Sequence, residues 1–166
     1  RQRQMCIRDS PNTIRLVLPA YLTALLLAIL LGLLAAANKG KVWDRLIDGI
    51  ASLGIAVPTF WFAMILIYLF GYRLNLFPII GMYTVGKEGD FNDFLQHFIL
   101  PYATLTVAFF PELTRYIRAS ATQQVSEDYV VVQQAFHATK WQIFSRHISR
   151  NVLIPIVTQI GLALPM

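Results

Sequence analysis

Few residues of this sequence are placed for chemistry. Gly81-Met82-Tyr83-Thr84-Val85-Gly86-Lys87-Glu88 comes within one residue of the phosphate-cradling pattern G-x-x-x-x-G-K-[ST]. Glu88 stands where a hydroxyl must hold magnesium, and its carboxylate repels phosphate. No strand-like run precedes the stretch, so it reads as a Gly-containing surface loop. Glu112 is the second candidate, because an ionisable residue inside an apolar run is a functional site by default. Arg115 follows it by one turn near the end of that run, which favours an interfacial ion pair over a proton or substrate site. Pro111, just before Glu112, is expected to open the helix locally. His97, His137 and His147 lack metal-ligand spacing; they read as an interfacial residue, a turn residue and part of an amphipathic face. No Ser-His or paired-carboxylate arrangement suggests catalysis. The single cysteine, Cys6, excludes an internal disulfide and a cysteine-based metal cluster. The expectation is a chain that is no enzyme and binds no metal or cofactor itself.

Composition explains this scarcity. The 166 residues are 56% hydrophobic and 14% charged, whereas a soluble domain carries about a quarter charged residues. The mean hydropathy is +0.54. The apolar residues are gathered into long runs, which favours membrane spans over a soluble core. The net charge of +5 raises the possibility of nucleic acid, but the basic residues flank the apolar runs as the positive-inside rule requires.

The chain therefore reads as an all-α polytopic membrane protein with spans over residues 16–37, 49–72, 97–117 and the beginning of a fourth over 152–166. Pro58 is expected to kink or break the second. Residues 38–48 form a short polar loop, and residues 73–96 a longer one. Lys39, Lys41 and Arg45 on one loop, and Arg118, Lys140, Arg146 and Arg150 on another, face Arg73 and Lys87 on the loop between. That asymmetry puts 38–48 and 118–151 in the cytoplasm. Residues 1–10 are polar and basic and would carry Arg1, Arg3 and Arg8 to the wrong side. They are read as a foreign segment of the kind left by a sequencing adapter, and the chain as cut at both ends.

One long polar stretch remains, Ser126 to Thr158. Apolar positions recur at Val125, Tyr129, Val132 and Phe136, and again at Ile143, Phe144, Ile148, with His147 and Asn151 on the same spacing. Steps of three and four put each set on one helical face. Thr139 followed by Gln142 fits a capping box, so a second helix is expected from Thr139 after a turn at His137-Ala138. Taken alone, such a pair could couple to a partner, lie at the membrane interface, or act as a helix-turn-helix on DNA. Against the last, its second helix carries Trp141, Ile143 and Phe144 and runs into a span.

The stretch resembles the EAA loop of permease subunits of binding-protein-dependent ABC importers, in the dipeptide, oligopeptide and nickel group. The resemblance is carried by Glu127-Asp128-Tyr129-Val130, Ala135, Arg146-His147 and Arg150-Asn151-Val152-Leu153-Ile154-Pro155. It extends to SLGIAVPTFWFAMILIYLF (52–70), to Leu76-Phe77-Pro78, to His97-Phe98-Ile99-Leu100-Pro101 and to Arg115-Tyr116-Ile117-Arg118-Ala119-Ser120. His137 stands where the family usually has Gly, at a turn that favours positive φ; Gln133 and Gln134 are further departures.

The resemblance covers roughly residues 12–166 and implies a partial MetI-like permease fold in a prokaryotic inner membrane. It implies a second permease subunit, cytoplasmic ATPase subunits that bind ATP and magnesium, an extracytoplasmic solute-binding protein, and no nucleic acid. It makes residues 120–151 the ATPase-coupling loop, with Glu127, Tyr129, Val132, Ala135, Phe136, His137, Thr139, Trp141, Arg146, Asn151 and Pro155 as its site residues. Ala135, His137 and Thr139 would sit at the docking turn, with Phe136 and Trp141 as apolar anchors. A non-ABC transporter or channel and a membrane-tethered regulatory module remain the alternatives.

Overall fold

The computed structural model describes residues 2–87, 89–125, 127–135, 142, 143, 148, 151 and 152, and the side chains from residue 12 onwards except those of 131, 134 and 135. Helix α1 spans Gln2–Ala37, α2 Val42–Ala56, α3 Thr59–Leu66, α4 Phe91–Val125 and α5 Asp128–Ala135; α3 continues as a π-helical stretch, Ile67–Arg73. Among the described residues there is no strand. Two stretches, Asn12–Ala37 and Phe91–Val125, are long and apolar enough to cross a bilayer. The bent pair Val42–Ala56 and Thr59–Arg73 would make a third crossing. The fourth expected span lies outside the described residues.

The sequence of α1 sorts its two faces by size. Ala20, Ala24, Ala28, Ala35 and Ala36 are buried, and Gly32 joins them at the same four-residue step. Leu18, Leu22, Leu26, Leu30 and Leu34 lie exposed. Small residues at i and i+4 let helix backbones approach closely in a membrane, while the leucines suit lipid.

The structure separates into two compact units, Arg1–Leu25 with Leu53–Phe110, and Leu26–Ser52 with Pro111–Met166. In the first, the expected break at Pro58 is present: Val57 and Pro58 are non-helical. Proline disfavours helix in the residue before it and cannot donate an N–H. Its carbonyl then starts α3, accepting the N–H groups of Trp61 and Phe62 at 3.0 and 3.1 Å. At the far end of this run the N–H of Leu74 reaches back to the Leu69 carbonyl at 2.9 Å. Residues 77–79 fold over Gly71, where a Cβ would stand 2.8 Å from Ile79 Cγ1. Tyr102 donates its hydroxyl to Thr23 Oγ1 at 3.0 Å, tying α4 to α1, and Thr106 Oγ1 lies 3.5 Å from the same oxygen.

Several boundaries differ from those expected. α2 begins at Val42, so the polar loop shrinks to residues 38–41; Asp44 in the first turn of α2 favours that start. α4 begins at Phe91, where Asp90 accepts the Asn92 N–H at 3.0 Å, and runs on to Val125, taking residues 120–125 from the expected coupling loop. It stays helical through Pro101 and Pro111, so the opening expected before Glu112 is not present. At 1.5 Å per residue α4 is about 50 Å long, and only about 30 Å fits in hydrocarbon. Its ends therefore stand outside the bilayer core.

Candidate coupling site and its anchorage

The sequence elements that close the turn between α1 and α2 are a glycine and an aspartate. Gly40 has φ +79°. Its N–H donates to Asp44 Oδ2 at 2.8 Å, and Asn38 Nδ2 caps the Leu34 carbonyl at 3.0 Å. Asp44 is almost wholly buried, and Arg118 of α4 meets it: Nε donates to Oδ1 at 2.6 Å and Nη2 to Oδ2 at 3.0 Å. Nη1 lies 3.9 Å from Asp48 Oδ1. A bidentate fork of this kind fixes orientation as well as charge.

This pair is the ionic contact that sequence reasoning missed. The expected pair does not form: Glu112 and Arg115 are both exposed and make no ion pair with each other. The hydropathy trace places Arg118 with the positive-inside residues, and nothing local links it to Asp44, 74 positions away.

About two turns beyond Arg118, α4 ends at Val125, just before the candidate coupling segment. The Glu127 N–H donates to the Gln124 carbonyl at 3.3 Å, and the Val130 N–H to the Glu127 carbonyl at 2.9 Å. Asp128 occupies the first turn of α5, where a carboxylate suits the helix dipole. Tyr129 donates its hydroxyl to Gln124 Oε1 at 2.9 Å, and Asn151 Nδ2 donates to the same oxygen at 3.4 Å. Val130, Ile143, Ile148 and Val152 are buried, which makes Val130 an inward residue of α5. Val132, expected on the apolar face of α5 with Tyr129, is 54% exposed. Glu127 is exposed. Ala135 ends α5. Phe136, His137, Thr139, Trp141, Arg146 and Pro155 lie outside the described residues, as does His147.

The glycine loop takes the form expected of a surface loop. Gly81 and Gly86 have φ +93° and +88°. Thr84 is engaged by α4: its N–H and Oγ1 each donate to Asp93, both at 2.6 Å. His97, expected at an interface, is buried, with Nδ1 2.8 Å from the Asp93 carbonyl oxygen. Among the described residues no cluster of His, Cys, Asp or Glu could hold a metal.

Residues 28–166 match the family described as the binding-protein-dependent transport system inner membrane component. The chain belongs to this family. It is 34% identical to the oligopeptide transport system permease protein AppB of Bacillus subtilis, aligning over 93% of this chain and 49% of that protein. It is 34% identical to the probable D,D-dipeptide transport system permease protein DdpB of Escherichia coli, over 93% and 51%, and 30% identical to the dipeptide transport system permease protein DppB of Escherichia coli, over 90% and 50%. The chain spans about half the length of these relatives. As in the rest of this inner-membrane component family, the chain is a helical membrane protein, and the family match runs through α4 and the segment that follows it.

Proposed function

We propose that this chain is part of the transmembrane permease subunit of an ATP-driven importer for peptides or a related small solute. The reading is carried by one observation: the family match takes in α2 to α5 and the whole of Ser126 to Thr158 without interruption. The named relatives are permease proteins of oligopeptide and dipeptide transport systems, which supports a peptide cargo. A second permease subunit completes the pathway, cytoplasmic ATPase subunits hold ATP and magnesium, and an extracytoplasmic binding protein delivers the solute.

In this reading the stretch from Glu127 onward docks on the ATPase. Closure of the ATPase around nucleotide displaces it, and the spans rock between two states. A ligand-driven displacement needs a stiff element whose docking differs between those states. The exposed Val132 on α5, beside buried Val130, offers an apolar contact outward while the helix is held from within. Phe136, Trp141 and the turn at His137 would complete that contact.

The test is uptake of a radiolabelled dipeptide by proteoliposomes holding the intact permease, its partner subunit and its ATPase, with the binding protein outside. The expected outcome is accumulation that requires ATP inside and is lost when the ATPase is omitted. Equilibration at the same rate without ATP would favour a channel or non-ABC carrier.

A further inference from the structure

Gln124 contacts both Tyr129 of α5 and Asn151. It lies in the last turn of α4 and is half-buried, as are Tyr129 and Asn151. Its Oε1 accepts from the Tyr129 hydroxyl at 2.9 Å, five positions on, and from Asn151 Nδ2 at 3.4 Å, 27 positions on. One carboxamide oxygen thus joins a residue of α5 and Asn151 to the last turn of α4. Tyr129 and Asn151 are each followed in sequence by a buried valine, Val130 and Val152. The chemistry is asymmetric. Both partners donate, so the position requires an acceptor with two lone pairs, and the carboxamide nitrogen plays no part in either bond.

We infer that Gln124 is a positioning residue that staples Tyr129 of α5 and Asn151 onto the end of α4. A displacement of α5 is then passed to α4. The inference rests on the coupling role proposed above, and it assigns the transmission step to an acceptor oxygen that lies outside the acidic-Tyr-Val and Arg-Asn motifs.

The experiment uses the intact importer in proteoliposomes, with Gln124→Met and Gln124→Glu beside the parent. Methionine keeps the length and removes the acceptor; glutamate keeps the acceptor. The expected result for Gln124→Met is parental co-purification of the ATPase, hydrolysis within twofold, and at least a fivefold fall in solute transported per ATP. Gln124→Glu is expected within twofold of the parent in all three. Parental transport per ATP in Gln124→Met, or equal losses in the two variants, overturns the inference. The contact itself is read without the ATPase, from thermal unfolding of Gln124→Met, Asn151→Leu and the double variant. Shifts in Tm that fall short of additive support the staple; fully additive shifts overturn it. Trp141→Asp, run in parallel, reports on the coupling reading alone. If it retains docking and transport, that reading has failed and takes the positioning role with it, even where the thermal cycle still shows the Gln124–Asn151 contact.

Discussion

Arg118 holds Asp44 by two hydrogen bonds, 2.6 Å from Nε and 3.0 Å from Nη2, and Asp44 in turn accepts the Gly40 N–H at 2.8 Å. One carboxylate therefore closes the α1–α2 turn and fastens it to α4. Removing one member of a buried pair leaves the other uncompensated, which costs about 3–5 kcal/mol when both are buried. Arg118 is 30% exposed, so the lower end applies. Asp44→Ala and Arg118→Ala are each expected to destabilise the intact permease in detergent by about 3 kcal/mol, the first through the stranded Arg118 and the lost Gly40 acceptor, the second through a buried carboxylate left with one neutral N–H. Exchanging the two residues should recover only part of the loss, since Arg at 44 cannot accept the Gly40 N–H. Chemical or thermal unfolding of the three variants beside the parent checks these effects.

Gly32 is a second fixed point. A Cβ there would stand 2.8 Å from Ile117 Cγ2, 3.0 Å from Ile117 Cβ and 3.2 Å from the Thr114 carbonyl oxygen. Overpacking of this kind costs about 1–3 kcal/mol. Gly32→Ala should lower the thermal midpoint, and Gly32→Val should lower it further. Ile117→Ala should relieve Gly32→Ala only in part, because Ile117 Cβ and the Thr114 backbone remain.

These two contacts show where the sequence was readable. The spans at α1 and α4 follow from apolar run length, and the break at Pro58 from the missing N–H. Tyr129 and Asn151 were marked by motif, and the structure brings both to Gln124. The Asp44–Arg118 pair was hidden because charge near a span reads first as topology. The alanine face of α1 was hidden because hydropathy does not separate Ala from Leu by size. The boundary at Phe91 was missed because polar Asp93 and Gln96 look like loop, whereas Asp93 is spent on Thr84. The turn between the two expected loop helices, at His137, lies outside the described residues.

Topology gives a third prediction. Lys39, Lys41 and Arg45 surround the α1–α2 turn that Asp44 ties to Arg118. Positive-inside then places that turn in the cytoplasm and the glycine loop outside. In the intact permease on a cysteine-free background, single cysteines at Lys41 and Lys140 should react with an impermeant maleimide only in inverted vesicles. One at Val85, which is 98% exposed, should react only in whole cells. Labelling of Lys41 and Val85 from the same side would overturn the arrangement.

The central claim is that the segment beginning at Glu127 is where the ATPase docks. The most direct measurement is site-directed photocrosslinking in the intact complex, with a benzophenone side chain at Val132 on α5 and, for comparison, at Ile80 in the glycine loop; both positions are exposed, at 54% and 86%. The expected result is a permease–ATPase adduct from Val132 that changes in yield when ATP is added, and none from Ile80. No ATPase adduct from Val132, or an adduct from Ile80 in its place, would contradict the account.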